Sequence, residues 1–261
     1  MTDVTSPAPS SRPLSGRTAL VTGASRGIGL ATATELAVRG AVVTITGRKP
    51  DALAAAQESI AAAAPDADVR TVVANTGSAD DRRAAVAEAA RDRGTVDILV
   101  NNTGINPVYG PLMDADLDAV RKIFDVNVVA ALGFVQECFR AGMSRTGGAV
   151  VNIASTAGLR STGVIAAYGA SKAALIRLTA ELAAELGPGI RVNAIAPNIV
   201  KTQFAEALYS ADEQAVAARF PMKRLGTPPD VANLVAFLVD DASGWITGET
   251  VTLDGGLLAG G

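Results

Sequence analysis

The chain of 261 residues carries a net charge of -3, and hydrophobic residues make up 49% of it while aromatic residues make up only 4%. This length suits one α/β domain with an aliphatic core, and cations scattered without a basic stripe argue against a nucleic-acid partner. The chain has no histidine, and Cys138 is its one cysteine. The sequence therefore excludes Ser-His-Asp triads, internal disulfides and metal sites built on histidine or cysteine. Acid–base chemistry is left to Tyr, Lys, Asp or Glu.

The N-terminal segment has no basic-then-apolar signal pattern, and its Pro and Ser residues predict a flexible head over residues 1–13. No apolar run in the sequence reaches the length that spans a membrane. We therefore expect a cytoplasmic protein without a membrane partner.

Beyond residue 13, short β-branched runs alternate with longer alanine-rich stretches. Strands are predicted over 18–21, 42–46, 69–73, 98–101, 150–153, 191–195 and 250–253, and helices over 28–39, 51–64, 80–93, 116–141, 168–186 and 230–238. Several strand candidates are apolar throughout, which is typical of strands buried on both faces of a parallel sheet. The sequence therefore predicts, over residues 14–261, a single α/β domain built on a doubly wound, Rossmann-type parallel sheet with helices on both faces.

Residues 198–228 form the least regular stretch, in which Phe204, Leu208, Tyr209 and Phe220 are mixed with charged residues. This pattern favours a partly helical lid over a substrate cleft, and an ordinary pair of surface helices fits it about equally well.

A glycine-rich turn follows the first predicted strand and opens the first helix. Its spacing, Gly-x3-Gly-x-Gly, lets the chain turn tightly and brings the N–H groups of the helix close to a pyrophosphate. The turn lacks the Lys-Ser/Thr ending of a nucleoside-triphosphate loop. It therefore predicts a dinucleotide site that contains Gly23, Ser25, Arg26, Gly27, Ile28 and Gly29.

The second predicted strand ends in Thr46-Gly47-Arg48-Lys49. An acidic residue there would accept hydrogen bonds from the ribose 2′-hydroxyl of NAD(H). Because the chain has two cations instead, NADP(H) is favoured over NAD(H), with Arg48 and Arg26 facing the 2′-phosphate. The alternative is that Arg48 and Lys49 are solvated loop charges.

Tyr168 and Lys172 open a long apolar helix and are spaced so that both side chains lie on one helical face. A free tyrosine has a pKa of about 10. We expect the Lys172 ammonium, together with a positive nicotinamide ring, to lower that pKa and make the Tyr168 phenol an acid–base group.

Two polar residues accompany this pair. Ser155 follows a buried strand and is placed to hydrogen-bond a substrate oxygen, although a serine that caps a local turn fits the same position. Asn127 stands in an apolar helical run, where a buried amide needs partners. It is either a structural bracket or part of a proton path.

The ordered motifs resemble the short-chain dehydrogenase/reductase family. They are the glycine turn, Asn101-Asn-Thr-Gly104, Asn127, Ser155, Tyr168-x3-Lys172 and Arg191-Val-Asn-Ala-Ile-Ala-Pro197. The resemblance runs from about residue 14 to Gly256 and is greatest to the 3-oxoacyl-carrier-protein reductase-like and carbonyl reductase branches. It implies that Tyr168 donates a proton to a carbonyl oxygen as hydride arrives from the nicotinamide, that Lys172 binds the nicotinamide ribose, and that Ser155 orients the carbonyl.

Further contacts are implied by the same resemblance. Asn127 would hold a water that links Lys172 to solvent, and Asn75 would meet the adenine. The other implied cofactor residues are Asn102 and Gly104 beside the adenosine, and Pro197, Val200 and Thr202 at the carboxamide. The family also implies a homotetramer, formed by the two long helices and by the ending over 245–256.

Three positions depart from the family pattern. Thr103 replaces the usual alanine, and Asn198 follows Pro197 where glycine is usual, so we expect Asn198 to take the left-handed backbone conformation that glycine would adopt. Pro188-Gly189 stands where carrier-protein reductases carry an arginine, which argues against a carrier-protein partner.

The sequence thus predicts NADPH-dependent reduction of a ketone or 3-oxoacyl compound, a small-molecule substrate, to the secondary alcohol. One alternative is an NAD(P)-dependent dehydrogenase of a sterol or other secondary alcohol. The other is a non-catalytic dinucleotide-binding regulator.

Overall fold

A computed structural model describes residues 12–260 and contains one seven-stranded parallel sheet, with the strand order β3-β2-β1-β4-β5-β6-β7. The strands are β1 (Thr18–Val21), β2 (Val42–Gly47), β3 (Val69–Val73), β4 (Ile98–Asn101), β5 (Gly148–Ile153), β6 (Ile190–Pro197) and β7 (Thr250–Leu253). This architecture confirms the predicted fold class. Of the head predicted over 1–13, residues 1–11 lie outside the described residues.

The strand order reverses beside β1. That strand pairs with β2 on one side, with Thr18 opposite Val42, and with β4 on the other, with Ala19 opposite Ile98. Connections to the left and right of such a point diverge and leave a crevice beyond the carboxyl ends of the strands, where ligands of open α/β sheets bind.

Helices cover both faces of the sheet. They are α1 (Gly27–Val38), α2 (Pro50–Ala63), α3 (Ala79–Ala89), α4 (Leu117–Phe124), α5 (Ala130–Cys138), α6 (Ser144–Thr146), α7 (Ala166–Leu186), α8 (Glu213–Ala218) and α9 (Pro228–Val239). One hydrophobic core joins α1, α2 and α9 to the sheet, and a second joins α3, α5 and α7 to its opposite face. Among the described residues, no helix is long and apolar enough to cross a membrane.

The helix predicted over 116–141 is interrupted by wider helical turns at Asp125–Val129 and Phe139–Met143. Gly142 takes a φ of 144° at the second of them, and a Cβ there would lie 2.3 Å from the carbonyl oxygen of Gly94. Within 198–228, the chain forms a short 3-10 turn at Glu206–Leu208 and the helix α8.

Candidate functional site

A cavity of about 1070 Å³ opens beyond the carboxyl ends of the strands. Most of the residues predicted for the site line it: Gly23, Ser25, Arg26, Gly27, Ile28, Arg48, Asn75, Asn102, Gly104, Ser155, Tyr168, Lys172, Pro197, Val200 and Thr202. The two other predicted residues, Gly29 and Asn127, are not part of the cavity wall.

The glycine turn fits a pyrophosphate. Gly23 and Gly27 have φ values of 62° and 59°, which few side chains tolerate. A Cβ on Gly29 would lie 2.7 Å from the carbonyl oxygen of Gly23, so only glycine allows this close packing. Helix α1 begins at Gly27 without a side-chain cap, and its first N–H groups can therefore bind an anion.

Asn102 braces this turn from the end of β4. Its Nδ2 donates to the carbonyl oxygens of Thr22 and Gly23 at 2.9 and 3.0 Å. Thr103, which stands where the family that the sequence resembles usually has alanine, accepts a hydrogen bond from the Thr76 hydroxyl at 3.2 Å. The replacement therefore ties the end of β4 to the segment that follows β3.

The two predicted partners of a 2′-phosphate lie on the cavity wall but differ in their contacts. Arg48 is exposed, and no carboxylate among residues 12–260 pairs with it. Arg26 hydrogen-bonds the side chain of Gln203, which belongs to the stretch predicted as a lid. The glycine turn is thus connected directly to that stretch.

Tyr168 and Lys172 stand together in the first turns of α7 and are both buried. The Lys172 Nζ lies 5.6 Å from the centroid of the Tyr168 ring. The same Nζ donates to the carbonyl oxygen of Ile153 at 2.7 Å. An ammonium has three donors, so Lys172 keeps donors for a ligand in the cavity.

The pKa of Tyr168 is raised rather than lowered, which corrects the sequence-based expectation. Burial raises it to about 12, the Ser155 hydroxyl lowers it in part, and the charge of Tyr109 raises it further. Burial also lowers the pKa of Lys172 to about 8. The expectation relied on the Lys172 ammonium and left out desolvation, which is the largest cause of both shifts. The contribution of a positive nicotinamide ring stays a prediction.

Ser155 follows β5 and begins the turn Thr156–Gly158. Its Oγ accepts a hydrogen bond from the backbone N–H of Ala157 at 3.1 Å, which is the local capping contact that the sequence left as an alternative. The hydroxyl also faces the cavity that Tyr168 lines, and its own hydrogen can point toward a ligand oxygen there.

The Asn127 side chain joins two segments of the chain through hydrogen bonds, as expected of a structural bracket. Its Oδ1 accepts from the N–H of Ile105 at 2.9 Å, and its Nδ2 donates to the Ile105 carbonyl at 3.1 Å and to the Ser171 hydroxyl at 3.0 Å. These bonds fix the segment after Gly104 against α7. A Cβ on Gly104 would lie 3.6 Å from this Oδ1 and 3.4 Å from the Lys172 Nζ, so the Asn127 and Lys172 side chains both approach Gly104.

Asn198 does not take the left-handed conformation expected of it. Among residues 12–260, Lys223 is the only non-glycine residue with a positive φ. The expectation was wrong because the N–H of Asn198 continues the pairing of β6, donating to the carbonyl oxygen of Leu253 at 3.1 Å. The Asn198 side chain instead reaches Thr156, a contact that sequence reasoning missed.

Comparisons with known proteins agree with this geometry. A family model described as "Enoyl-(Acyl carrier protein) reductase" matches residues 23–258. The chain is 39% identical to "Dehydrogenase/reductase SDR family member 4" of Oryctolagus cuniculus over 94% of each chain.

Two solved structures hold a dinucleotide. A gluconate 5-dehydrogenase from Burkholderia cenocepacia, in complex with NADP and tartrate, is 31% identical with a TM-score of 0.87, over 95% of this chain and 98% of that one. A blue fluorescent protein from a metagenomic library, in complex with NADPH, is 32% identical with a TM-score of 0.86, over 94% of this chain and 99% of that one.

Proposed function

Because the chain belongs to the short-chain dehydrogenase/reductase family of NAD(P)-dependent oxidoreductases, which act on CH–OH and C=O groups, we propose that it reduces a ketone or 3-oxoacyl compound with NADPH. The observation that carries the proposal is the cavity wall beyond the glycine turn, where Ser155, Tyr168 and Lys172 come together. The reaction consumes a ketone, NADPH and a proton and yields a secondary alcohol and NADP⁺.

When bound, NADPH supplies the hydride that the carbonyl carbon receives. Tyr168 supplies the proton to the carbonyl oxygen, and with a pKa of about 12 its phenol is protonated at neutral pH and has that proton to give. Ser155 donates a hydrogen bond to the same oxygen as negative charge develops there. Lys172 uses its remaining donors to hold the nicotinamide ribose beside Tyr168.

NADP(H) is the proposed cofactor because of the charges at the end of β2. Arg48 is free to pair with a 2′-phosphate, and no acidic side chain stands at the strand end to bind a 2′-hydroxyl. The complexes of two similar proteins with NADP and NADPH support this choice.

The proposal is tested by measuring oxidation of NADPH by the purified protein with a panel of ketones and 3-oxoacyl thioesters. We expect turnover with members of both groups or of one of them. Reduction of none of the panel, together with undiminished binding of NADPH, would favour the non-catalytic regulator.

We propose a homotetramer for the assembled enzyme. Trp245, just before β7, is 100% exposed, and Val129 and Phe139 next to α5 are exposed as well. We propose that these groups lie on the surfaces that the other subunits cover. Light scattering that shows a monomer at micromolar concentration would contradict the assembly.

A further inference from the structure

The wall of the cavity is strongly cationic. Seven basic side chains line it and no Asp or Glu does, although the whole chain has a net charge of -3. The seven are Arg26, Arg48, Lys122, Arg160, Lys172, Lys201 and Arg219. A cleft lined by one sign of charge concentrates ligands of the opposite sign.

The arginines of this wall also differ from most of the other arginines in that they form no ion pair with a carboxylate of the described residues. The chain has eighteen arginines, all within residues 12–260, and four of them line the cavity. None of these four pairs with a carboxylate of the described residues, whereas eleven of the other fourteen do. The cavity arginines are therefore available to an external anion.

The proposed cofactor accounts for only part of this charge. Arg26 and Arg48 lie at the glycine turn and the end of β2, where its phosphates would bind, and Lys172 is assigned to a ribose. The Lys122 Nζ lies 3.6 Å from the position of a Cβ on Gly77, on the adenine side near Asn75.

The three remaining cations of the wall are Lys201, Arg160 and Arg219. Lys201 is already paired with Glu213 at 2.8 Å. Arg160 and Arg219 remain, and no phosphate of the dinucleotide is assigned to either of them.

These two arginines line the same cavity as Ser155, Tyr168 and Lys172. The backbone N–H of Arg160 donates to the carbonyl oxygen of Thr156 at 3.2 Å, so this residue stands one turn beyond Ser155. Arg219 ends α8 next to the buried Phe220. The same cavity wall includes apolar groups: the Phe204 ring lies 6.1 Å from the Tyr168 ring, and Leu208 lines the cavity.

We propose that the substrate carries an anionic group, a carboxylate or a phosphate, which Arg160 and Arg219 bind while its carbonyl faces Tyr168. This inference rests on the proposed function and narrows its substrate class. Both arginines are exposed, so their attraction for the anion is screened and its effect on kcat/KM is moderate and falls with salt.

Matched substrate pairs test the charge directly. Oxo-carboxylates with two to five carbons between carbonyl and carboxylate are compared with their methyl esters, and a 3-oxoacyl-4′-phosphopantetheine thioester is compared with the pantetheine thioester that lacks the phosphate. We expect kcat/KM to be about tenfold higher for the anionic member of at least one pair, the gain of one hydrogen bond to a charged group. The pair that shows the preference identifies the anion as carboxylate or phosphate.

Variants then assign the preference to the two residues. Arg160→Gln and Arg219→Gln remove the charge and keep a polar side chain, and each should reduce the ratio of kcat/KM between anion and neutral analogue several-fold. Arg160→Lys should keep most of the ratio. Arg145→Gln is the matched control, since Arg145 is an exposed arginine outside the cavity without a carboxylate partner among residues 12–260, and it should leave the ratio unchanged.

The outcomes separate this inference from the proposed function. Equal kcat/KM for the charged and neutral members of every pair would overturn the inference and leave the reductase proposal standing. A preference that survives in the double variant Arg160→Gln/Arg219→Gln would overturn the assignment of these residues. Failure of NADPH to reduce any member would overturn the proposed function itself.

Discussion

The Asn198 Nδ2 donates a hydrogen bond to the Thr156 Oγ1 at 2.7 Å. This bond joins the end of β6 to the turn that begins at Ser155. The Asn198 Oδ1 accepts from the N–H of Ile199 at 2.8 Å, so the amide is held at both ends. A glycine at this position, as is usual in the family, has no side chain to make these two hydrogen bonds.

We expect Asn198→Ala to lower kcat about fivefold with little change in the KM for NADPH, because the turn that orients Ser155 loses a hydrogen bond of about 1 kcal/mol. Steady-state kinetics with a ketone that the protein reduces would measure this. If Asn198 acts through Ser155, its effect on kcat disappears in a Ser155→Ala background. Full additivity of the two substitutions would rule out this positioning role.

Much of the fold and of the cavity wall could be predicted because the residues concerned follow strand ends along the chain. Gly23 follows β1 and Ser155 follows β5, and the parallel sheet brings such ends to one edge. The Asn198 contact could not be predicted, since its partner Thr156 is 42 residues away and on another strand end. The wide helical turn at Asp125–Val129 was also missed, because apolar periodicity does not distinguish it from an ordinary turn.

The direction of the Tyr168 pKa shift could not be predicted from the sequence, for a different reason. The i, i+4 spacing correctly brings Lys172 to the same face, with its Nζ 5.6 Å from the ring. How far each group is desolvated depends on packing from β5, the segment after β4 and the stretch 198–228. Those contacts decide how strongly burial raises the pKa of Tyr168.

Tyr168→Phe is expected to reduce kcat at least about a thousandfold, within the range for loss of a general acid, because the ring stays and only the proton donor is removed. Affinity for NADPH should be nearly unchanged, since the phenol contributes little to the phosphate contacts. Turnover and NADPH binding by fluorescence titration would be measured on the same preparation. A variant that retains wild-type kcat would exclude Tyr168 as the acid.

Arg48→Ala should raise the KM for NADPH about tenfold while leaving the KM for NADH nearly unchanged, because only NADPH has a 2′-phosphate that accepts a charge-assisted hydrogen bond from Arg48. The matched control is Lys49→Ala, since Lys49 is the next cation in the chain and is not part of the cavity wall. A wild-type protein that prefers NADH, or an equal effect of Arg48→Ala on both cofactors, would contradict the NADP(H) assignment.

Lys172→Met should stabilise the fold while abolishing turnover and weakening NADPH binding. Lowering the pKa of Lys172 from its ordinary 10.5 to about 8 corresponds to a burial cost of about 3 kcal/mol. Loss of the bond to the Ile153 carbonyl offsets about 1 kcal/mol of this cost. The free energy of unfolding should therefore rise by about 2 kcal/mol at neutral pH.

The lowered pKa of Lys172 also makes this stabilisation depend on pH. Below pH 8, Lys172 is protonated in the folded and the unfolded chain. The full free-energy cost of burying its charge then opposes folding. Between the folded pKa of about 8 and the ordinary value of 10.5, the unfolded chain binds a proton that the folded one has released, so wild-type stability gains with rising pH. The advantage of Lys172→Met should thus shrink across this window, measured by denaturant unfolding at about pH 7 and about pH 10 beside Lys49→Met, an exposed control. An advantage that is absent at neutral pH, or that grows toward high pH, would mean that Lys172 is not buried as a charged group.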